Sequence, residues 1–263
     1  MTLSIVLILI LSGVLVGFIN TLSAGGTTIS IALYLALGLP PQSANAVNRV
    51  GVLLQDAFGS ALFFKQGLFK LKEVLPCSIP VMIGALLGSL TAVKISERVF
   101  SISFAIILLI MIIFIFVERK IKPIEKEKLS TKEYILYFPI FMAIGFYGGF
   151  VQAGTGFLII AALSMLLGYD LIKTAAVKLA MMFLYTVVAI TVFFARGGIQ
   201  LEYWIYGLIH SVGMIIGTWI AGKYALKKGA NFVRAVIIFV IIITALNLIG
   251  VIDFKDLFKI LVI

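Results

Sequence analysis

Four ionisable side chains interrupt long apolar stretches of this 263-residue chain: Arg49, Asp56, Lys178 and His210. A charge among apolar residues is costly to desolvate, so it faces a partner, a cavity or water. Two cations so placed suit an anionic ligand, and a carboxylate and an imidazole suit exchange of protons or cations. Arg49 belongs to the row Asn45, Asn48, Arg49, Val52, Gln55 and Asp56. Three- and four-residue steps put that row on one side of a helix expected over 44–64. Arg49 and Asp56 lie two turns apart there, and could bridge through Gln55 or solvent as a structural pair. Lys178 stands about four residues into a later span, one turn after Thr174 and two turns before Tyr185. A ligand-facing lysine and one snorkelling to a membrane edge both fit that position. His210, in mid-span, fits a proton relay or a neutral imidazole bonded between helices.

Two glycine-rich breaks supply a second kind of chemistry. One is Leu22-Ser23-Ala24-Gly25-Gly26-Thr27-Thr28, leading into a short apolar stretch over 29–38; the other is Gln152-Ala153-Gly154-Thr155-Gly156, leading into 157–168. A helix of about 13 residues rises only about 20 Å, too short to cross a bilayer comfortably. Its first turn leaves N–H groups unpaired beside a partial positive charge, which attracts anions. Glycine lets a ligand approach the backbone and threonine adds hydroxyl donors. The expected anion-binding set is therefore Gly25, Gly26, Thr27, Thr28, Gln152, Gly154, Thr155 and Gly156, with Asn48, Arg49 and Lys178 from the spans that follow. Asn20 and Ser23 are further polar residues near the breaks. Asp56 and His210 are candidates for coupling. The alternative for the glycines is close helix packing, the reading preferred for Gly84, Gly88, Gly213 and Gly217.

The elements that must hold these residues are membrane helices. Hydrophobic residues make up 62% of the chain and charged ones 12%, with a mean hydropathy of +1.21. A soluble domain carries about twice that charge fraction. Uncharged apolar runs over 3–22, 74–93, 99–117, 203–222 and 235–252 are each long enough to cross a hydrocarbon core of about 30 Å. No stretch could form a soluble core, so the chain is expected to be an all-α polytopic membrane protein. The first run resembles a secretory signal, but it lacks a basic start and cleavage after it would remove part of a repeated unit.

The chain contains itself twice. A shift of 130 residues aligns 26–67 with 156–197 without a gap and makes twelve of 42 positions identical, Gly26/Gly156, Gly38/Gly168, Phe63/Phe193 and Gly67/Gly197 among them. After a one-residue slip the match runs on through Glu73/Glu202, Gly84/Gly213, Gly88/Gly217 and Lys94/Lys223. The expected organisation is a first transmembrane repeat over 1–117, a charged linker over 118–133 and a second repeat over 134–263. Each half carries a broken first hairpin and three further spans. Paired broken segments at matching places in two halves point to a transporter's binding site. If the halves are inverted, the Lys and Arg residues outside the spans divide 14 against 5 between the two sides; four plus four parallel spans would divide them 12 against 7. The positive-inside rule favours inversion, with both termini outside.

The net charge of +10 does not indicate nucleic acid, because the basic residues sit mostly in short loops between spans. One cysteine, Cys77, and one histidine leave no disulfide, metal cluster or HExxH site. A membrane-embedded enzyme would need a nucleophile–base or metal constellation that these residues do not supply. No cofactor is expected. With no Walker motif, an ion gradient is the expected energy source.

The stretch Gly17-Phe18-Ile19-Asn20-Thr21-Leu22-Ser23-Ala24-Gly25-Gly26, leading to Gly38-Leu39-Pro40-Pro41 and Ala44-Asn45-Ala46-Val47-Asn48, resembles the first repeat of the sulfite exporter TauE/SafE family. The stretch 145–156, GFYGGFVQAGTG, with Ala175-Ala176-Val177-Lys178, is similar to its second repeat. The resemblance covers nearly the whole chain. It implies a transporter in the cell membrane for sulfite, an organosulfonate or a related small anion. Ser23-Ala24 before Gly25-Gly26 departs from the family's frequent GxGGG-like spacing, so the two half-sites are not expected to be equivalent. The expected partners are the small anion, the lipid bilayer and a coupling ion, proton or sodium, and no nucleic acid. The alternative is a passive anion channel or a membrane assembly partner, which would lack alternating access and substrate counterflow.

Overall fold

The computed structural model describes residues 1–22, 24–118, 131–196 and 201–224, with single positions at 242, 246 and 251. The described residues form nine α-helices: α1 Leu3–Leu22, α2 Gly26–Ala36, α3 Pro41–Lys65, α4 Leu71–Ala92, α5 Glu97–Glu118, α6 Thr131–Phe150, α7 Thr155–Leu166, α8 Leu171–Ala195 and α9 Trp204–Tyr224. A single 3-10 turn, Leu201–Tyr203, precedes α9. Most of the span expected over 235–252, and most of the linker, lie outside the described residues.

Among the described residues five helices are long and apolar enough to cross a membrane by length and composition: Leu3–Leu22, Leu71–Ala92, Lys132–Phe150, Ile172–Ala195 and Trp204–Lys223. Among the described residues the exterior is apolar, and the largely apolar interior holds a set of buried polar side chains. Leu7, Leu11 and Leu15 of α1, Ile79, Ile83 and Leu87 of α4, and Leu208, Val212 and Ile216 of α9 are exposed. Asn20, Asn45, Asn48, Arg49, Gln55, Asp56, Gln152, Lys178 and His210 are buried. Water does not support that distribution over so many helices, whereas lipid requires it.

Two helix pairs carry the closest approaches, α1 along α9 and α4 along α6. Each pair is a seam of four glycines. A Cβ at Gly13 or Gly17 would fall on the carbonyls of His210 and Met214, and one at Gly213 or Gly217 on those of Ile10 and Val14. In the other seam Gly84 and Gly88 meet the carbonyls of Met142 and Phe146, and Gly145 and Gly149 those of Val81 and Ala85. Four-residue glycine spacing on both partners lets backbones touch, and dispersion drives such association in lipid. The long helices α3 and α8 pack against each other, with α9 also on α3 and α4 also on α8. The polar row of α3 is thereby enclosed.

Helices α2 and α7, with 11 and 12 residues, rise only about 17 Å and 18 Å at 1.5 Å per residue, too short to span. Each ends at a glycine of positive φ, Gly38 at 90° and Gly168 at 69°, a conformation that favours glycine after a helix. Pro41 opens α3 where its missing N–H costs nothing. Asp170 caps α8 by accepting from Ile172 N and Lys173 N at 2.9 Å each.

Candidate functional site

The two breaks place the N-termini of α2 and α7 against each other inside the bundle. Gly25 caps α2 with φ 127°, and Gly154 caps α7 with φ 76°. Glycine has no side chain, so neither cap residue supplies a side-chain acceptor to the first-turn N–H groups. The backbone turns match: Thr28 N donates to Gly25 O and Phe157 N to Gly154 O, both at 3.0 Å. Between the termini lies a cavity of about 10 Å³, lined by Asn20, Ala24, Gly25, Thr27, Gly154, Gly156, Lys178 and Met182. That is room for about one water, so an anion would enter only as the two helix ends part.

Of the residues singled out from sequence, Gly25, Thr27, Gly154, Gly156 and Lys178 line this cavity. Gly26 faces α1, where a Cβ would stand 2.7 Å from Asn20 Oδ1 and from Val16 O, so its place is one of packing. Thr28 and Thr155 are buried in the first turns without lining the space. Thr155 Oγ1 donates to Gln152 O at 2.8 Å and steadies the second break. Gln152 has φ 63°, a left-handed conformation uncommon outside glycine. Its side chain is held from two sides, accepting from Asn48 Nδ2 at 2.9 Å and donating to Thr186 Oγ1 at 3.3 Å. Asn48 and Gln152 thus fix the backbone that carries Gly154.

The two cations have matching places in the fold. Lys178, on α8, donates its ammonium to the Asn20 carbonyl near the end of α1. Arg49, on α3, donates to Gly148 O at 3.1 Å and Gly149 O at 2.7 Å near the end of α6. Each therefore caps the C-terminal carbonyls of the helix before a break, where the helix dipole favours positive charge. Lys178 is only 1% exposed and points inward rather than to a membrane edge. Arg49 also stacks 4.7 Å from the Phe193 ring and does not line the cavity. Arg49 is bonded to α6, while Asp56 lies within the charge influence of Lys178.

His210 is buried away from the cavity, its Nδ1 2.9 Å from the Tyr34 hydroxyl of α2 and the rings edge to face. It ties the short helix to α9. Sequence reasoning did not select Ala24 and Met182, and neither carries a polar group that could have marked it. Asn20 was signalled by its nearness to the break, and it lines the cavity while donating to Gln55 Oε1 at 3.1 Å. Among the described residues no group of three or more His, Cys, Asp or Glu could hold a metal.

Apolar surfaces, a set of buried polar side chains and two non-spanning helices meeting at a central cavity define a multi-pass membrane protein. The chain belongs to the sulfite exporter TauE/SafE family, whose model matches residues 9–248. It is 25% identical over 242 residues to a Sinorhizobium protein named probable membrane transporter protein ORF9, covering 92% of this chain and 91% of that one. It is 28% identical over 232 residues to a probable membrane transporter protein of Haemophilus influenzae, covering 88% and 89%. With the probable membrane transporter protein YfcA of Escherichia coli K12 it shares 21% over 235 residues, covering 89% and 85%.

Proposed function

We propose that the chain is a secondary transporter for a small anion of the sulfite, organosulfonate or related class, bound between the N-termini of α2 and α7. The observation that carries this reading is the cavity in which Gly25 and Thr27 of one break meet Gly154 and Gly156 of the other, beside the Lys178 side chain. Backbone N–H groups, two helix dipoles and one ammonium converge where water is largely excluded, which favours a compact anion over a cation or an extended substrate. The names of the family and of the relatives support transport.

The same reading takes 1–117 and 134–263 as inverted repeats joined by the linker over 118–133. Its support is the pairing of the first helix of each half with the fourth of the other, α1 with α9 and α6 with α4, through equivalent glycine seams. Both termini then face outside and the linker is cytoplasmic. In a Cys77→Ser background, Lys126→Cys is expected to react with an impermeant thiol reagent only after the membrane is opened. Labelling from outside intact cells would overturn that topology.

Purified protein is expected to gain thermal stability with at least one of sulfite, sulfate, sulfoacetate, taurine and acetate. A ligand at about 100 times its Kd stabilises the folded state by about 2.7 kcal/mol. Gly156→Leu should abolish that gain while leaving membrane insertion intact, because even a Cβ at Gly156 would stand 2.7 Å from Ala24 Cβ. Normal binding by this variant would place the site elsewhere.

A further inference from the structure

We propose that the anion is carried together with one proton, taken up by the Asp56 carboxylate that stands behind Lys178. Asp56 is 1% exposed and its Oδ2 has no hydrogen-bond partner among the described residues. Three contacts bring it to the site. Gly59, one turn further along α3, lets that helix approach α8 so closely that a Cβ would be 2.9 Å from Leu179 Cδ1, setting Asp56 beside Lys178. The neighbouring Gln55 bonds Asn20 at 3.1 Å, and the Asn20 carbonyl accepts from the Lys178 ammonium. Asp56 and Lys178 accordingly feel each other's charge.

The charge balance gives the coupling. In the empty protein a carboxylate opposite an ammonium leaves the buried pair neutral. An anion arriving at Lys178 would bring a second negative charge into the same low-dielectric space, which is strongly unfavourable. A proton added to Asp56 removes that charge, and its departure with the anion restores the ion pair. Proton and anion each raise the other's affinity by the same factor, as linkage requires. A metal cation fits less well, since the ammonium of Lys178 acts on the same carboxylate.

Other ionisable groups on the helices packed around Asp56 are Arg49, Tyr185, His210 and the exposed start of α5. Arg49 of α3 caps α6. Tyr185 of α8 interacts with both Arg49 and Asp56. His210 of α9 is bonded to Tyr34 of α2, and Glu97 and Arg98 of α5 are exposed at its start.

The inference rests on the anion-transport reading, and its test separates the two. Binding of methanesulfonate, sulfate and sulfite to the purified wild-type protein is measured by calorimetry from about pH 5 to about pH 8, in buffers of different ionisation enthalpy. Methanesulfonate and sulfate keep a constant charge there, and sulfite is corrected for its own protonation. Affinity is expected to weaken about tenfold per pH unit once Asp56 is ionised in the empty protein, with about one proton taken up per anion. Asp56→Asn should give a level profile near the wild-type low-pH affinity, and His210→Gln should keep the slope. Proton uptake is read on the wild type, so the test does not depend on a variant folding. Binding without pH dependence or proton uptake overturns the coupling alone, as does a slope that survives Asp56→Asn. No binding of any of the three anions at any pH overturns the anion reading and the coupling with it.

Discussion

Lys178→Met is expected to weaken anion binding by about tenfold to a hundredfold while the helical fold persists. The Lys178 ammonium is the one charged group among the residues that line the cavity, and the hydrogen bond it would offer an anion is charge-assisted. Loss of such a bond removes roughly 1.5–3 kcal/mol, which is that range of affinity. Methionine keeps the length and the apolar stem, so the packing of α8 on α3 is retained. The variant also loses the contact to the Asn20 carbonyl and the charge opposite Asp56, which would then be buried protonated. Melting temperature without anion, measured beside affinity, separates that structural cost from the loss of the ligand contact. Equal affinity in variant and wild type would remove the ammonium from the site and leave only the helix N-termini to hold an anion.

The membrane character was legible because apolar runs of about 20 residues admit few other structures. The breaks were legible as well. Glycine at 25, 154, 38 and 168 adopts positive φ at the ends of the short helices, and the repeat showed that these positions recur. Partners were not legible. The row on α3 was seen to share one face, yet its members do different things: Asn45 donates to Phe150 O at 3.1 Å, Asn48 holds Gln152, Gln55 holds Asn20 and Arg49 caps α6. Spacing places side chains on a face without identifying what the facing helix presents. Gly26 illustrates the same limit, since its neighbour across α1 decides whether the missing Cβ admits a ligand or a helix.

Taken as the two proposed repeats, the chain uses one device twice and specialises it. In each, a cation on the third helix reaches across to the carbonyls that end the first helix of the other half. In the second half the residue is a lysine, whose contact to Asn20 is near a break that opens into the cavity. In the first half it is an arginine, whose fork takes two adjacent carbonyls and whose face lies on Phe193. Guanidinium suits a fixed bidentate place and ammonium a mobile point charge.

Arg49→Gln should therefore cost stability more than affinity. Two charge-assisted bonds to carbonyls contribute roughly 1.5–3 kcal/mol each, and a desolvated cation–π contact adds up to about 2 kcal/mol. Glutamine can restore one neutral bond, so a net loss of about 3 kcal/mol is expected, or roughly 6–12 °C in Tm at the 2–4 °C per kcal/mol typical of this chain length. Part of that loss comes from leaving the carbonyls of Gly148 and Gly149 with their outward lone pairs unsatisfied in a buried place. Arg49→Lys keeps the charge and can reach one carbonyl, so it should recover part of the stability and no more. The decisive comparison is with Lys178→Met at equal temperature, with both proteins folded. Arg49→Gln should bind the anion more tightly than Lys178→Met does, because Arg49 acts on the second break through the end of α6 rather than on the ligand. If Arg49→Gln loses more affinity than Lys178→Met and melts like the wild type, the ligand's charge partner is the arginine and the helix-capping role assigned to it is wrong.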